Sequence, residues 1–429
     1  MLRKRFIPFF FLFPILLFIF THTADTKQRF IAVLELEGVV NPVMSEFILN
    51  NIDKAIEEEA ECLIIQLDTP GGLDLSMRSI VKKMVNAKIP VVVYITPSGA
   101  RAASAGVIIT MSSDIAAMTP GTNIGAAHPV NMSGKMDEEM SKKVENDAVA
   151  YIRGLAGKKG RNADWAEEAV RESVSITAEA ALEIKVIDLI ANNLDDLIKQ
   201  IDGREVVKGG ISFKLATREI PVKFIKMDIR SRILDRLTDP NIAYILMILG
   251  FYGLFFELSH PGVIFPGVVG AICLILAFFA FQTLPVNYAG MLLILLGIFL
   301  FIAEIKVISY GLLTVGGVVS MTLGSLLLFD SPEPYLRASL AVIIPVILVT
   351  SGLFFIAISL ALKAQLAKPL TGEKGLVGEI GVAKSRIAPE GKVFIHGEYW
   401  NVNSEEVIEK GERVKVVSVE NLEMKVEKV

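Results

Sequence analysis

The first half of the chain alternates between short apolar runs and longer segments with helical spacing. The apolar runs predict strands at Phe30–Val40, Cys62–Leu67 and Val91–Ile95. Between them, apolar residues recur every three or four positions, which predicts helices at Met44–Glu59 and Leu75–Val85. Strands that alternate with helices pair in parallel and form a layered α/β core. We therefore expect this part of the chain to be an α/β domain.

The same domain is expected to extend over residues 25–202. Asn162 and Asp164 are candidate caps for a helix at Ala163–Val174. The other predicted elements are a helix of small residues at Ala105–Met111, a strand near Ile115–Met118, a polar loop at Pro129–Ser141, helices at Val144–Ala156, after Thr177 and at Asn193–Ile201, and a strand at Val186–Ile190.

Residues 240–362 contain almost no charge. They carry six charged side chains, whereas charged residues make up 21% of the whole chain. A helix needs about 20 apolar residues to cross a bilayer, so this stretch predicts a membrane domain at 241–362 and excludes a wholly soluble protein. The first and third of five expected spans are short, and such spans are tilted differently or re-entrant. The five are Ile242–Phe256, Val263–Phe281, Met291–Ile305, Leu312–Phe329 and Leu340–Leu362.

A basic cluster precedes the first apolar run of the chain. The basic residues at positions 3–5 stand before the run Phe6–Phe20, which is the layout of a secretory signal. The stretch that ends at Ala24 is a poor cleavage site because His22 is not small, so an uncleaved anchor is the alternative. We expect residues 1–24 to be a signal peptide or signal anchor that sends the following domain across the membrane.

Charges at the two ends of the chain predict its orientation. The basic N-terminus and the lysines Lys363, Lys368 and Lys374 after the last span favour the cytoplasm. With one crossing by the signal and five by the membrane domain, residues 25–240 are expected outside the cytoplasm and the C-terminal residues inside.

Residues 203–240 are expected to connect the α/β domain to the membrane. Their first part, 205–220, has a β-like pattern. Phe224–Leu237 alternates basic and apolar residues at helical spacing. This amphipathic helix either lies on the membrane surface or leads into the first span.

Residues 363–429 are charged and rich in alternating apolar positions. About five short strands in such a segment predict a small barrel of the OB type. OB barrels often bind nucleic acid, and Trp400 could stack on a base. Because this domain lacks a basic stripe, we expect Trp400 to cover the end of the barrel and no nucleic acid to bind. The clearest strands are Gly378–Ile387, Lys392–Val402 and Arg413–Val419.

Composition adds two exclusions to this picture. The net charge is −4, from 43 basic and 47 acidic residues, and the mean hydropathy is +0.52, which excludes a disordered chain. The two cysteines, Cys62 and Cys273, lie in different segments, which excludes a disulfide framework and a cysteine-based metal site. We expect no cofactor and no metal.

The α/β domain contains residues that suit acyl transfer. A serine hydroxyl is a weak nucleophile that needs a base, and small neighbours let it project from a tight turn. Ser104 has such neighbours and stands at a predicted strand-to-helix junction. A helix that starts there points its first amides at the reacting centre. The amide of Ala105 is therefore one candidate oxyanion donor, and Gly71 and Gly72, which follow a buried strand, are the others.

The general base has candidates of two kinds. His128 is the only histidine of this domain, and Lys142 and Lys143 begin a predicted helix. An ordinary lysine has a pKa of about 10.4 and is protonated, but burial in an apolar cleft lowers such a pKa and can make the amine a base. Periodicity does not choose between the two lysines, because both lie off the apolar stripe of their helix.

Taken together, the motifs resemble the NfeD family in its long, membrane-anchored form, also called stomatin operon partner proteins. The resemblance covers the signal, the first domain, the membrane domain and the OB domain. It implies a serine protease with a Ser–Lys dyad on a crotonase-like fold, similar to signal peptide peptidase A and the Clp proteolytic subunit. The motifs are LDTPGG (Leu67–Gly72), SGARAASAG (Ser98–Gly106), MTPGTNIGAAHPV (Met118–Val130), the spacing from Lys143 to Tyr151-Ile152-Arg153, and GRNADWAEEAVRES (Gly160–Ser173).

By this resemblance Ser104 is the nucleophile and Lys143 is the base, in preference to Lys142. His128 stands close to where the Clp subunit keeps its catalytic histidine, so a Ser–His–Asp arrangement is the alternative. That alternative also needs an orienting aspartate, and none matches in the region Glu168–Ser175.

The resemblance implies an endopeptidase that cleaves hydrophobic segments of membrane-associated proteins. Its implied partners are stomatin-like or flotillin-like proteins and membrane lipid, and it implies a homo-oligomer, a dimer or larger. The main competing hypothesis is a catalytically inactive membrane-microdomain scaffold for the same partners. Acyl-CoA chemistry and transport are two others, the last because Glu304 and Lys306 lie near the end of a span.

Overall fold

The computed structural model describes residues 29–130, 137–259, 262, 264–307, 309–366, 373–420 and 423–429. The predicted signal at 1–24 and part of the predicted loop, 131–136, lie outside the described residues. The chain divides into two compact units. One is formed by the described residues up to Leu292 together with Leu323–Ile343, and the other by Leu293–Thr322 together with the described residues from Ile344 onward.

The first unit contains the predicted α/β domain. All elements predicted between residues 30 and 201 are present, and most begin and end within three residues of the predicted bounds. In chain order the elements are β1 (Ile31–Glu37), α1 (Pro42–Glu57), β2 (Cys62–Asp68), α2 (Asp74–Asn86), β3 (Val91–Ile95), β4 (Arg101–Ala103), α3 (Ala105–Ser112), β5 (Ile115–Met118), β6 (Asn123–Gly125), α4 (Glu138–Lys158), α5 (Ala163–Arg171), β7 (Ser175–Thr177), α6 (Ala178–Glu183), β8 (Leu189–Ile190), α7 (Leu194–Ile201), β9 (Glu205–Lys208), β10 (Ile211–Lys214), β11 (Val222–Ile225) and α8 (Ile229–Leu237).

A six-stranded parallel sheet forms the centre of this domain. Its strand order is β11-β1-β2-β3-β5-β8, and every neighbouring pair is parallel. Buried side chains cover both faces of the sheet, which explains why the central strands are continuous apolar runs. A second sheet of three short strands, β4-β6-β7, carries the turn at Ser104. The predicted α/β fold is confirmed.

Helix α4 starts earlier than predicted. The predicted loop was to reach Ser141, but the helix begins at Glu138. The side chain of Asp137 caps it by accepting a hydrogen bond from the backbone amide of Met140, at 2.7 Å. Glu138 and Glu139 then place negative charge at the positive end of the helix dipole.

The predicted connector at 203–240 needs a correction in its first part, because that part completes the α/β domain. Strand β11 pairs in parallel with β1, from Ile31 opposite Val222 onward. The β9–β10 hairpin is joined to the sheet through the buried side chain of Lys208. The amphipathic helix is also shorter than predicted, since Phe224 lies in β11 and Asp228 caps α8.

Five apolar helices lie at the five predicted spans. Within the described residues, three stretches are long and apolar enough to cross a membrane, namely Pro240–Leu258, Ile264–Phe281 and Pro334–Leu360. The other two helices are shorter. The helices are α9 (Pro240–Ser259), α10 (Ile264–Phe281), α11 (Tyr288–Lys306), α12 (Leu312–Leu327) and α13 (Leu340–Leu366).

The C-terminal residues of the second unit form a closed five-stranded barrel, as the sequence predicted. The strand order is β12-β13-β14-β16-β15. The predicted single strand Lys392–Val402 is in fact two, because the chain turns at His396 and Gly397, which both have positive φ angles. Trp400 packs against the apolar core of the barrel. The elements are α14 (Glu373–Leu376), β12 (Ile380–Ala383), β13 (Glu390–Ile395), β14 (Glu398–Asn403), β15 (Arg413–Glu420) and β16 (Glu423–Lys428).

Candidate active site

Ser104 lies in a strained turn between β4 and α3. Its φ is +52° and its ψ is −113°, a region that residues other than glycine rarely occupy. The surrounding backbone holds this conformation, since the Ser104 amide donates to the carbonyls of Gly125 (3.2 Å) and Ala126 (3.1 Å). A strained serine at a strand-to-helix turn is also how α/β-hydrolases expose their nucleophile. Strain of this kind concentrates at functional sites.

The segment after β2 lies directly beside this turn. The amide of Thr69 donates to the carbonyl of Arg101 at 2.8 Å, and the amide of Ala103 donates to the carbonyl of Thr69 at 3.0 Å. The carboxylate of Asp68 accepts the amide of Arg101 at 3.0 Å. The two sequence motifs that suggested acyl transfer are therefore joined by backbone hydrogen bonds.

Gly71 allows the closest approach to Ser104. Its φ is +128°, and a Cβ atom placed on it would lie 2.8 Å from the Ser104 Cβ and 3.2 Å from the Ser104 Oγ. Any other residue at position 71 would collide with the candidate nucleophile.

The three candidate oxyanion donors differ in what they bind. The Gly71 amide donates to the Thr69 hydroxyl at 3.1 Å. The amides of Gly72 and Ala105 have no hydrogen-bond partner among the described residues. These two amides are therefore unpaired among the described residues, whereas the Gly71 amide is used within its own turn.

Thr69 is a site residue that the sequence reasoning missed. Its buried hydroxyl accepts from the Gly71 amide and donates to the Gly71 carbonyl at 3.0 Å. Threonine hydroxyls commonly bond to backbone two residues further on, so the Thr-Pro-Gly sequence carried this signal. Thr69 fixes the glycine turn that faces Ser104.

Lys143 lies in the first turns of α4 and is mostly exposed. Its side chain is 68% exposed, and its Nζ lies 3.3 Å from the Glu139 carboxylate. Lys142 makes the equivalent pair with Glu138 at 2.8 Å. The structure therefore places the Lys143 amine on Glu139 and not on the Ser104 hydroxyl, which has no hydrogen-bond partner in the part of the chain that is described.

The helix that carries Lys143 contacts α2, the helix that follows the glycine turn. Asp147, one helical turn after Lys143, lies 2.5 Å from a guanidinium nitrogen of Arg78 on α2. The same guanidinium lies 4.5 Å above the ring of Tyr151. Because α2 begins at Asp74, two residues after Gly72, this contact brings the Lys143 side of α4 towards the start of α2.

His128 follows the segment that holds the Ser104 amide. Its Nδ1 lies 2.9 Å from the carbonyl oxygen of Val170, which can only accept, so Nδ1 carries the proton. In the neutral ring Nε2 is then unprotonated and is the atom that would serve as a base. Neither base candidate is hydrogen-bonded to Ser104 in this form.

The chain matches known protein families over most of its length. Residues 30–205 match the NfeD1b N-terminal domain, residues 241–360 the NfeD integral membrane domain, and residues 373–428 the NfeD-like C-terminal, partner-binding domain. The membrane-bound protease PH1510 of Pyrococcus horikoshii is 34% identical over 424 residues, which are 96% of each chain. The chain belongs to the NfeD family. It is a membrane protein, as the uncharged stretch predicted.

A second relative and two solved structures are also similar to this chain. The membrane protein NfeD1b of Bacillus subtilis is 26% identical over 92% of each chain. Among solved structures, a serine-to-alanine mutant of the 1510-N membrane-bound stomatin-specific protease is 34% identical, with a TM-score of 0.45 over 47% of this chain and 99% of that one. A lysine-to-alanine mutant of that protease, in complex with a substrate peptide, is 31% identical, with a TM-score of 0.46 over 49% of this chain and 98% of that one.

Proposed function

We propose that this NfeD-family protein is a membrane-bound serine protease whose nucleophile is Ser104. The observation that carries the proposal is the strained Ser104 turn at the N-terminus of α3, in contact with Gly71 and beside two unpaired amides. Strain of this kind persists only where the surrounding structure over-determines it. A serine placed so is prepared to attack a carbonyl carbon, and the amides of Gly72 and Ala105 then donate to the oxyanion that forms.

We assign the general base to Lys143. For this role the Lys143 amine leaves Glu139, loses its proton and takes the proton of the Ser104 hydroxyl as the Oγ–carbon bond forms. It then gives that proton to the leaving amine as the peptide C–N bond breaks, and water later hydrolyses the acyl-enzyme. An exposed ion pair such as Lys143–Glu139 contributes at most about 1 kcal/mol, so it is easily exchanged for this contact. His128, whose Nε2 is the free nitrogen when the ring is neutral, is the competing base.

The proposed substrates are hydrophobic segments of membrane-associated proteins of the stomatin or flotillin type. The similarity to a protein named as a membrane-bound protease supports the activity, and the match of residues 373–428 to a partner-binding domain supports a protein partner. Because the α/β domain continues through α8 into α9, substrates at the membrane surface are within reach. A homo-oligomer and contact with lipid are part of the same proposal.

The proposed location of the protease domain is outside the cytoplasm. The basic residues at both ends of the sequence support this orientation. A reporter fused after Val429 is expected to be cytoplasmic, and an external reporter would reverse the assignment.

The test is cleavage of a quenched fluorescent peptide with an apolar centre by the full-length protein in lipid nanodiscs. Ser104→Ala should abolish cleavage, and Lys143→Ala should reduce it to near background. Lys142→Ala is the matched control and should cleave as the unmodified protein does. Loss of cleavage in His128→Ala with retention in Lys143→Ala would move the base to His128.

A scaffold without catalysis is the second candidate, and the Lys143–Glu139 pair favours it because the dyad is not assembled here. A scaffold predicts no cleavage of any apolar peptide between pH 5 and pH 10. It also predicts that Ser104→Ala still binds a stomatin-like partner as tightly as the unmodified protein.

A further inference from the structure

Tyr335 reaches the candidate active site from the membrane domain. It lies in a short 3-10 helix, Pro334–Leu336, between α12 and α13. Its hydroxyl is 3.0 Å from the position that a Cβ on Gly71 would take, and the Ser104 Oγ is 3.2 Å from that same position. The phenol and the Ser104 side chain therefore both lie beside Gly71, although they are far apart in the sequence.

Tyr335 is one of the residues that line a cleft of about 910 Å³. Apolar side chains of the cleft include Leu36, Leu73 and Leu336, and Gly72 and Tyr335 form part of its wall. Ser104 is not among the described residues that line the cleft. Tyr335 thus lines the cleft and also lies beside Gly71, next to Ser104.

The segment around Tyr335 is held in place by the ends of the membrane helices. Leu336 is buried, and the guanidinium of Arg337 donates to the carbonyl of Ser331. The amide of Ser339 donates to the side chain of Asn241 in the first turn of α9, at 2.7 Å. The position of Tyr335 therefore depends on how α9 and α13 are arranged where they begin.

We propose that Tyr335 is the gating residue of the protease and that it fills the place of the scissile residue next to Ser104. The proposal rests on the proposed function. A substrate that binds in the cleft reaches Ser104 only when the phenol is displaced, which joins the cleft to the nucleophile. The Lys143 amine on Glu139 fits the same resting form, because no substrate is present to bring the dyad together.

A direct catalytic role for the phenol is the opposite hypothesis. A hydroxyl that donates to the oxyanion must stand aside from the path of the substrate backbone. The Tyr335 hydroxyl instead lies against Gly71, the residue that also contacts Ser104, and the amides of Gly72 and Ala105 make no hydrogen bond among the described residues. The geometry therefore favours a phenol that blocks access to Ser104 over a phenol that donates to the oxyanion.

The test measures how fast a small peptidyl phosphonate labels Ser104 in the full-length protein in nanodiscs. If the open form is a tenth of the population, removal of the gate raises the apparent second-order rate about 10-fold, so Tyr335→Ala should label about 10-fold faster. Tyr335→Phe keeps the ring but loses the hydroxyl that lies nearest Gly71, and it should label no slower than the unmodified protein. Tyr310→Ala is the matched control, since Tyr310 is 97% exposed, and should also leave the rate unchanged.

Two results would overturn the gate. An unchanged rate in Tyr335→Ala, with an unchanged unfolding temperature, would show that the ring blocks nothing. A rate in Tyr335→Phe at least 10-fold below that of the unmodified protein would make the hydroxyl an oxyanion donor. Failure of the proposed function looks different, because then neither the unmodified protein nor any variant is labelled at Ser104.

Discussion

The Ser104 turn is held by backbone hydrogen bonds, whereas the Lys143 side chain at the start of α4 is held by an exposed ion pair. The Ser104 amide donates hydrogen bonds to the carbonyls of Gly125 and Ala126, and the segment before it is held by the Thr69–Arg101 pairing. Lys143 is exposed and bound to a carboxylate on its own helix. The fold therefore fixes the candidate nucleophile, whereas the candidate base is held by a contact weak enough to be exchanged for another.

The largest effect should come from removing the base. Lys143→Ala is expected to lower kcat/KM for the apolar peptide about 10²–10⁴-fold, the usual contribution of general-base catalysis. Lys142→Ala loses an equivalent exposed ion pair and should keep full activity. Equal losses in the two variants would mean that the contrast between a fixed nucleophile and a specific movable base is mistaken.

A substitution beside Ser104 should lower kcat/KM somewhat less than the loss of the base does. Gly71→Ala adds a methyl group 2.8 Å from the Ser104 Cβ at a backbone φ of +128°, which displaces the nucleophile from the Gly72 and Ala105 amides. We expect kcat/KM to fall about 10²–10³-fold, as when an oxyanion donor is lost. Gly154→Ala is the control, because Gly154 lies on α4 with no atom within 4 Å of the added Cβ. A Gly71→Ala variant with normal activity would contradict the close approach of Gly71 to Ser104.

The loss of a buried carboxylate should lower the free energy of unfolding more than the loss of an exposed one. Asp114 is almost fully buried and binds Lys208 at 2.7 Å and Lys159 at 2.5 Å. Burial lowers the pKa of Lys208, and the facing carboxylate opposes this effect. Asp114→Asn strands that cation in the interior and should cost about 3 kcal/mol, or about 6–12 °C in Tm.

The matched substitution at an exposed carboxylate is Glu139→Gln, because Glu139 is the ion-pair partner of Lys143. It should alter the free energy of unfolding by less than about 1 kcal/mol. Thermal unfolding of both variants in the same detergent measures the difference. Equal Tm values would contradict the expectation that the buried Asp114 carboxylate stabilises the protein more than the exposed Glu139 carboxylate does.

The smallest expected effect concerns the Cys62 thiol in the central sheet, which should not be alkylated in the native protein. Burial raises the pKa of the Cys62 thiol to about 12, so almost no thiolate is present at pH 8. Iodoacetamide should leave Cys62 unmodified in the native protein and alkylate it after unfolding, as read by peptide mass spectrometry. Rapid native alkylation would show that this sheet opens readily.

Local pattern was enough for most of the α/β domain. Apolar runs such as Cys62–Leu67 predict central strands because parallel strands are buried on both faces. Asn162 was predicted as a helix cap, and its side chain does accept the amide of Trp165 at 2.9 Å. Small residues around Ser104 predicted a tight turn with the helix α3 starting at it, as the structure has it.

The features that the sequence did not predict depend on contacts between distant residues. β11 has four residues and is recognisable as a strand only through its pairing with β1. Tyr335 stands in a loop between apolar helices, and nothing near it in sequence points to Ser104. The partner of the Lys143 amine could not be predicted either, because spacing allows both a local carboxylate and a distant hydroxyl.

Mapping the covalent adduct of a serine-reactive phosphonate on the full-length protein tests the central claim most directly. The account predicts one adduct, on Ser104, that forms in the unmodified protein and in Lys142→Ala and disappears in Ser104→Ala. An adduct on another residue, or labelling that persists in Ser104→Ala, would contradict it.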